Sequence, residues 1–136
     1  MVTKQLNYGK MDLVDVLCDA INANVSLPQA MKIGYLEEAE SLQLLTLPSS
    51  QEIESYYDGS KDMLMNYAIN YKTVDQQTAA ETLFNIVSFL DTLETLESRS
   101  GSFEFQDLTV VSMPFLSDQN EKYFTYSADF QVLITI

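Results

Sequence analysis

The stretch that decides the fold is 124-FTYSADFQVLITI-136. Phe124, Tyr126, Ala128, Phe130, Val132, Ile134 and Ile136 are apolar, and Thr125, Ser127, Asp129, Gln131 and Thr135 between them are polar, with Leu133 the exception. Successive side chains of a strand point to opposite faces, so the alternation predicts a strand with one buried face. The strand reaches the last residue of the sequence, so its end is expected to be held in a sheet rather than to trail. At ~3.4 Å per residue it would run roughly 40 Å, about twice the usual strand. A strand of that length is expected to bend or to reach beyond its own domain, which points to assembly.

Working back from this strand, residues 103–113 carry Phe103, Phe105, Leu108, Val110 and Val111. The change of apolar parity between Phe105 and Leu108 predicts a bulge at Gln106 or Asp107. Pro114 is expected to end this strand, with a loop over 117–120. Before it, Thr73 and Gln76 fit a capping box for a helix running to about Ser98, with Gly101 as breaker. Leu83, Ile86, Val87, Leu90, Leu93 and Leu96 build its buried stripe, which Phe84 and Phe89 widen.

Further upstream, Asp58-Gly59 sits between the run Ile53 to Tyr57 and the run Met63 to Lys72, a hairpin signature. In the return strand Met63, Met65, Tyr67, Ile69 and Tyr71 share one face, and Leu64, Asn66, Ala68, Asn70 and Lys72 the other. Residues 30–36 and 42–47 read as two short strands around the acidic loop 37–41, with helix as the alternative over 35–45 and a turn at Pro48, Ser49 and Ser50. Residues 12–23 read as a helix, with Leu13, Val16, Leu17, Ala20 and Ile21 buried, Asp12 as N-cap and Asp15 in the first turn. Strands come in runs rather than alternating with helices. The expected class is therefore α+β: a mostly antiparallel sheet of about five to six strands with two helices packed on one face, in a single domain over residues 1–136.

Composition removes several functions. With 20 acidic and 7 basic residues the net charge is −13, and the bases are scattered, so sequence-specific nucleic-acid binding is not expected. There is no histidine, which excludes Ser-His-Asp and Cys-His centres. The single cysteine, Cys18, can form neither an internal disulfide nor a cysteine-rich zinc site. No apolar run is long enough for a membrane helix, and the first residues lack the apolar core of a signal peptide, so a soluble chain made in the cytoplasm is expected.

Carboxylate clusters are the one catalytic device left. Asp12, Asp15 and Asp19 share a helix face, Glu37, Glu38 and Glu40 crowd a loop, and Asp58 and Asp62 flank the hairpin turn. Each set could hold a hard cation, but none matches an EF-hand, and solvated surface or turn chemistry accounts for them. No catalytic, cofactor or metal residue is assigned, and an enzyme is not expected. Tyr56, Tyr57, Tyr67 and Tyr71 gather around the hairpin with Met63 and Met65. Aromatics and Met are enriched at protein interfaces, while cross-strand packing would account for them equally well.

An ordered set of motifs carries a family resemblance. Met11-Asp12-Leu13-Val14-Asp15-Val16-Leu17 is followed by Tyr35-Leu36 with Glu40-Ser41-Leu42, then Leu47-Pro48-Ser49, Tyr57-Asp58-Gly59-Ser60-Lys61 and Lys72-Thr73-Val74-Asp75-Gln76. Along nearly the whole chain this resembles the minor capsid proteins of phages and prophages of Gram-positive bacteria, which are related to the tail terminators of long-tailed phages. The resemblance implies a virion structural protein that forms a sixfold ring at the head–tail junction. Such a ring terminates the tail tube and docks to the neck or connector, with DNA passing through its lumen. Its partners would be sister copies, the tail-tube protein and the connector, with no cofactor and no membrane. An acidic ring would let DNA slide rather than grip it. The candidate subunit interface is Tyr56, Tyr57, Asp58, Gly59, Met63, Met65 and Tyr67 of the hairpin with Phe130, Val132, Ile134 and Ile136 of the last strand, joined by strand addition or by burial of the Tyr/Met face. A tail-tube or baseplate component, or a small regulatory or host-interaction module, are the alternative readings.

Overall fold

The computed structural model describes residues 11–48 and 51–136. Ser49 and Ser50 of the expected turn, and the N-terminal stretch 1–10, lie outside the described residues. The element order is α1 (Leu13–Asn24), β1 (Lys32–Ile33), β2 (Ser41–Thr46), β3 (Gln51–Ser55), β4 (Lys61–Thr73), α2 (Gln76–Asp91), β5 (Glu104–Gln119) and β6 (Phe124–Thr135). The six strands form one open sheet in the order β1-β2-β4-β6-β5, with β3 also paired to β4. All pairings are antiparallel except β1 with β2, so the sheet is mixed and mostly antiparallel, and the class is α+β.

Register explains which residues face the helices. Across β4 and β6, Tyr67 pairs with Phe130 and Ile69 with Ala128, and across β2 and β4, Leu44 pairs with Ile69 and Leu42 with Tyr71. Directly opposed residues share a face. These side chains join Leu13, Leu17 and Ile21 of α1 and Leu83, Ile86 and Leu90 of α2 in one buried cluster. Tyr67 and Phe130 stack at its centre, with ring centroids 5.4 Å apart. The opposite face of the sheet is largely polar: the Ser127 hydroxyl donates to Asn70 Oδ1 at 2.6 Å and shares a 2.7 Å bond with Ser117.

Several boundaries differ from the sequence expectation, each for a local reason. The long helix begins two residues later than expected and ends earlier. Asp75, not Thr73, is the N-cap, accepting from the Gln77 N–H at 3.1 Å and the Thr78 hydroxyl at 2.8 Å. Thr73 is the buried last residue of β4, and its hydroxyl donates to Glu40. At the other end, the Thr92 N–H and hydroxyl both donate to the Phe89 carbonyl, at 3.1 and 2.8 Å, tightening and closing the helix after Asp91. Leu93 and Leu96 still reach the core, but from an irregular segment. An i, i+3 spacing is satisfied by either geometry.

Pro114 does not end β5, which continues to Gln119 and absorbs the expected loop. The ladder shifts register between Ser112 and Phe115, around the proline, and β5 is an edge strand. Those are the two places where a sheet tolerates a residue without an N–H. The shift between Phe105 and Asp107 is the bulge that the parity of the sequence predicts. The strand expected over 30–36 shrinks to Lys32–Ile33, and residues 37–40 form an exposed loop.

The last strand does not reach beyond its own sheet. β4 has 13 residues and β5 has 16, and β6 pairs along its length with both. Its unusual length is matched by equally long neighbours, and the Ile136 N–H and carbonyl close a two-way bond with Lys61 at 2.8 and 2.9 Å.

Candidate functional site

The hairpin of β3 and β4 is built by turn chemistry. The Asp58 carboxylate accepts from the Ser60 N–H at 2.9 Å, and Gly59 takes a φ of +88°, a conformation that L side chains rarely adopt. The Tyr56 N–H donates to the Ser60 carbonyl at 2.9 Å, which makes the loop wider than a two-residue turn. Tyr57 projects fully into solvent at its tip, and Tyr56 and Ile53 are about half exposed.

Asp62 fastens the base of the hairpin to the end of β6. Its carboxylate accepts from the Thr135 hydroxyl at 2.6 Å and from the Tyr56 hydroxyl at 2.7 Å. The same contacts hold the Asp62 carboxyl below the usual carboxylate range, with the Thr135 bond the larger cause. Donation to Asp62 in turn pushes the Tyr56 phenol up. Lys61 pairs with Glu52 at 3.5 Å across the two strands. Around that one lysine stand Glu52, Glu54, Asp58 and Asp62, so the hairpin is acidic.

The candidate interface residues therefore separate. Tyr56, Tyr57, Asp58 and Gly59 lie together on the exposed turn, and Met63 and Met65 are partly buried against the core. Tyr67, Phe130, Val132, Ile134 and Ile136 are buried inside the chain's own core. β6 has β4 on one side and β5 on the other, so strand addition cannot occur on it. Alternation in the sequence marks a buried face but not which surface buries it.

A second exposed apolar surface falls outside those residues. On β5, the edge strand among the described residues, Val111 and Met113 are each 56% exposed, Phe115 45% and Leu116 40%. A strand taken to stop at Pro114 hides the far end of this surface, and the apolar pair Phe115-Leu116 just beyond the proline is the signal that could have revealed it.

The carboxylate clusters resolve into structural roles. Asp12 occupies the N-cap position of α1 but makes no side-chain cap there. Its carboxylate instead accepts from the Ser98 and Ser102 hydroxyls at 2.6 and 2.9 Å and from the Arg99 and Ser100 N–H groups at 2.7 and 3.1 Å. Burial alone would push this carboxyl up, and the hydrogen bonds outweigh it, holding the pKa down at about 2. Asp19 pairs with the Arg99 guanidinium. Glu37, Glu38 and Glu40 are exposed, as is Asp58. Among the described residues, no group of three or more Cys, Asp or Glu is placed to hold a metal ion, and no helix is long and apolar enough to cross a membrane.

Open clefts among the described residues include one of about 460 Å³ beside Ser55, Tyr56 and Tyr57 at the hairpin. Another of about 320 Å³ lies between the hairpin turn and residues 101–104, and one of about 430 Å³ is lined by Gln51, Asn66, Val111, Asp129 and Gln131, reaching from the break between β2 and β3 to β5. Burial pushes the Asp129 carboxyl up. Comparison of the chain with known family models and with curated proteins gives no match.

Proposed function

We propose that this chain is a non-enzymatic virion structural subunit that assembles head to tail into a closed ring at the head–tail junction of a long-tailed phage, ending the tail tube and meeting the connector. One observation carries the assembly part of this reading. Among the described residues the sheet leaves an edge open on each side, and exposed apolar side chains stand at both: Ile53, Tyr56 and Tyr57 at the hairpin, Val111, Met113 and Phe115 on β5. Apolar side chains on two different, opposite surfaces are what a heterologous interface requires, and such interfaces form rings when the rotation between copies closes. The place in the virion is supported by the ordered motifs of the sequence. The charge of −13 supports a lumen that repels phosphate.

Electron microscopy of the purified full chain tests this reading: closed annuli of uniform size are expected, and a chain that stays monomeric at high concentration would overturn it. Long stacked tubes would favour a tail-tube component instead. Binding of the annuli to double-stranded DNA at physiological salt should be undetectable.

A further inference from the structure

Resting on the ring reading, we infer which surfaces meet: the aromatic hairpin tip of one copy, led by Tyr57, seats on the Val111, Met113 and Phe115 side chains of the β5 edge of the next copy.

Three observations lead there. The first is electrostatic. The chain carries −13, and the hairpin tip is itself acidic, with Glu52, Glu54, Asp58 and Asp62 around Lys61. Hairpin against hairpin would bring carboxylates together in every copy. Residues 109–117 of β5 carry no charged side chain, so this exposed apolar surface admits the acidic tip without like-charge repulsion.

The second is topological. β3 and β5 are separated by β4 and β6, so they are opposite edges of one sheet. β3 pairs with β4 at residues 61–64, level with the start of β5, whereas Val111 to Phe115 lie level with residues 127–130 of β6. The hairpin therefore sits at one end of one edge, and the Val111 to Phe115 patch lies midway along the opposite edge. A head-to-tail contact between them leaves one hairpin and one β5 edge free on each growing assembly, which ends as a ring where the rotation between copies closes.

The third concerns the mode of contact. β5 shifts register between Val110 and Ser112 and again between Ser112 and Phe115, with Pro114 inside the second shift. Such an edge is a poor template for backbone pairing. Val111, Met113 and Phe115 nonetheless remain exposed beside it. The contact is therefore made by side chains, an exposed aromatic against an apolar patch, rather than by a continuous intersubunit sheet.

Cysteine cross-linking of the full chain tests the pairing, in a background where the buried Cys18 is replaced (Cys18→Ala) and circular dichroism shows the fold retained. Under mild oxidation, Tyr57→Cys mixed with Met113→Cys should give a cross-linked dimer, while neither variant alone should. The double variant should give a ladder ending at the ring size. Separately, Met113→Asp should lower the ring population about tenfold or more at fixed concentration without lowering the melting temperature. Self-cross-linking of Met113→Cys would overturn the inference in favour of a two-fold β5–β5 contact. Rings that form in every variant yet never link position 57 to 113 would overturn it while leaving the ring reading intact. A monomeric parent chain would overturn both.

Discussion

β5 and β6 are neighbours in one sheet, both long and both rich in apolar residues, yet they do opposite work. β6 is paired on both sides, and Phe130, Val132 and Ile134 along it are buried to 2% exposure or less. β5 is paired along its length on one side only, with a single bridge from Glu97 to Glu104 on the other, breaks its register four times, contains a proline, and holds Val111 and Met113 out to solvent. The difference shows that an apolar strand is not yet a core strand. Position in the sheet decides whether its side chains stabilise this chain or are left for another.

The comparison is most sharply tested on the buried side. Phe130→Ala removes a ring stacked on Tyr67 and should cost about 3–5 kcal/mol, measured by chemical denaturation. A loss below about 1 kcal/mol would show that β6 is not the centre of the core.

Next in size is the clasp that fastens the approach to β5. Asp12→Ala leaves two backbone N–H groups and two serine hydroxyls without their acceptor and should cost about 1–2 kcal/mol. Because the folded carboxyl is held below the ordinary carboxylate value of 3.8, at about 2, its contribution is complete above pH 3.8 and is lost as pH falls toward 2. The parent chain should therefore lose more stability than Asp12→Ala between pH 5 and pH 2, and parallel acid-unfolding curves would contradict the clasp.

A smaller effect is expected at the hairpin tip. Gly59→Ala forces an L side chain to a φ of +88° and should cost about 1 kcal/mol by thermal unfolding. The smallest effect falls on the exposed edge: Val111→Ser should change stability by no more than about 0.5 kcal/mol. A larger loss there would mean that the edge belongs to the core after all, and the contrast between the two strands would collapse.

Much of this architecture was legible in sequence because it rests on short-range rules. The alternation of residues 124–136, the Asp58-Gly59 turn, the stripe of Leu83, Ile86, Val87 and Leu90, and the parity change before Leu108 all reappear as structure. The end of α2 was not legible, because Leu93 and Leu96 keep helical spacing while Thr92 closes the helix. Asp12 looked like a helix cap, and only the fold brings the loop at residues 98–102 to its carboxylate. Of the candidate surface, Tyr56, Tyr57, Asp58 and Gly59 were readable as an exposed turn, whereas on β5 Phe115 and Leu116 were hidden behind Pro114, and the exposure of Val111 and Met113 depends on strand order.

The order of residues by itself determined which segments become strands and helices and which face of each is apolar, since periodicity and turn chemistry act over a few residues. Only the tertiary structure decided that β6 lies inside the sheet and β5 at its edge. Strand order is set by contacts between segments far apart in the chain, and it is those contacts that determine whether an apolar face meets its own helices or is left facing outward.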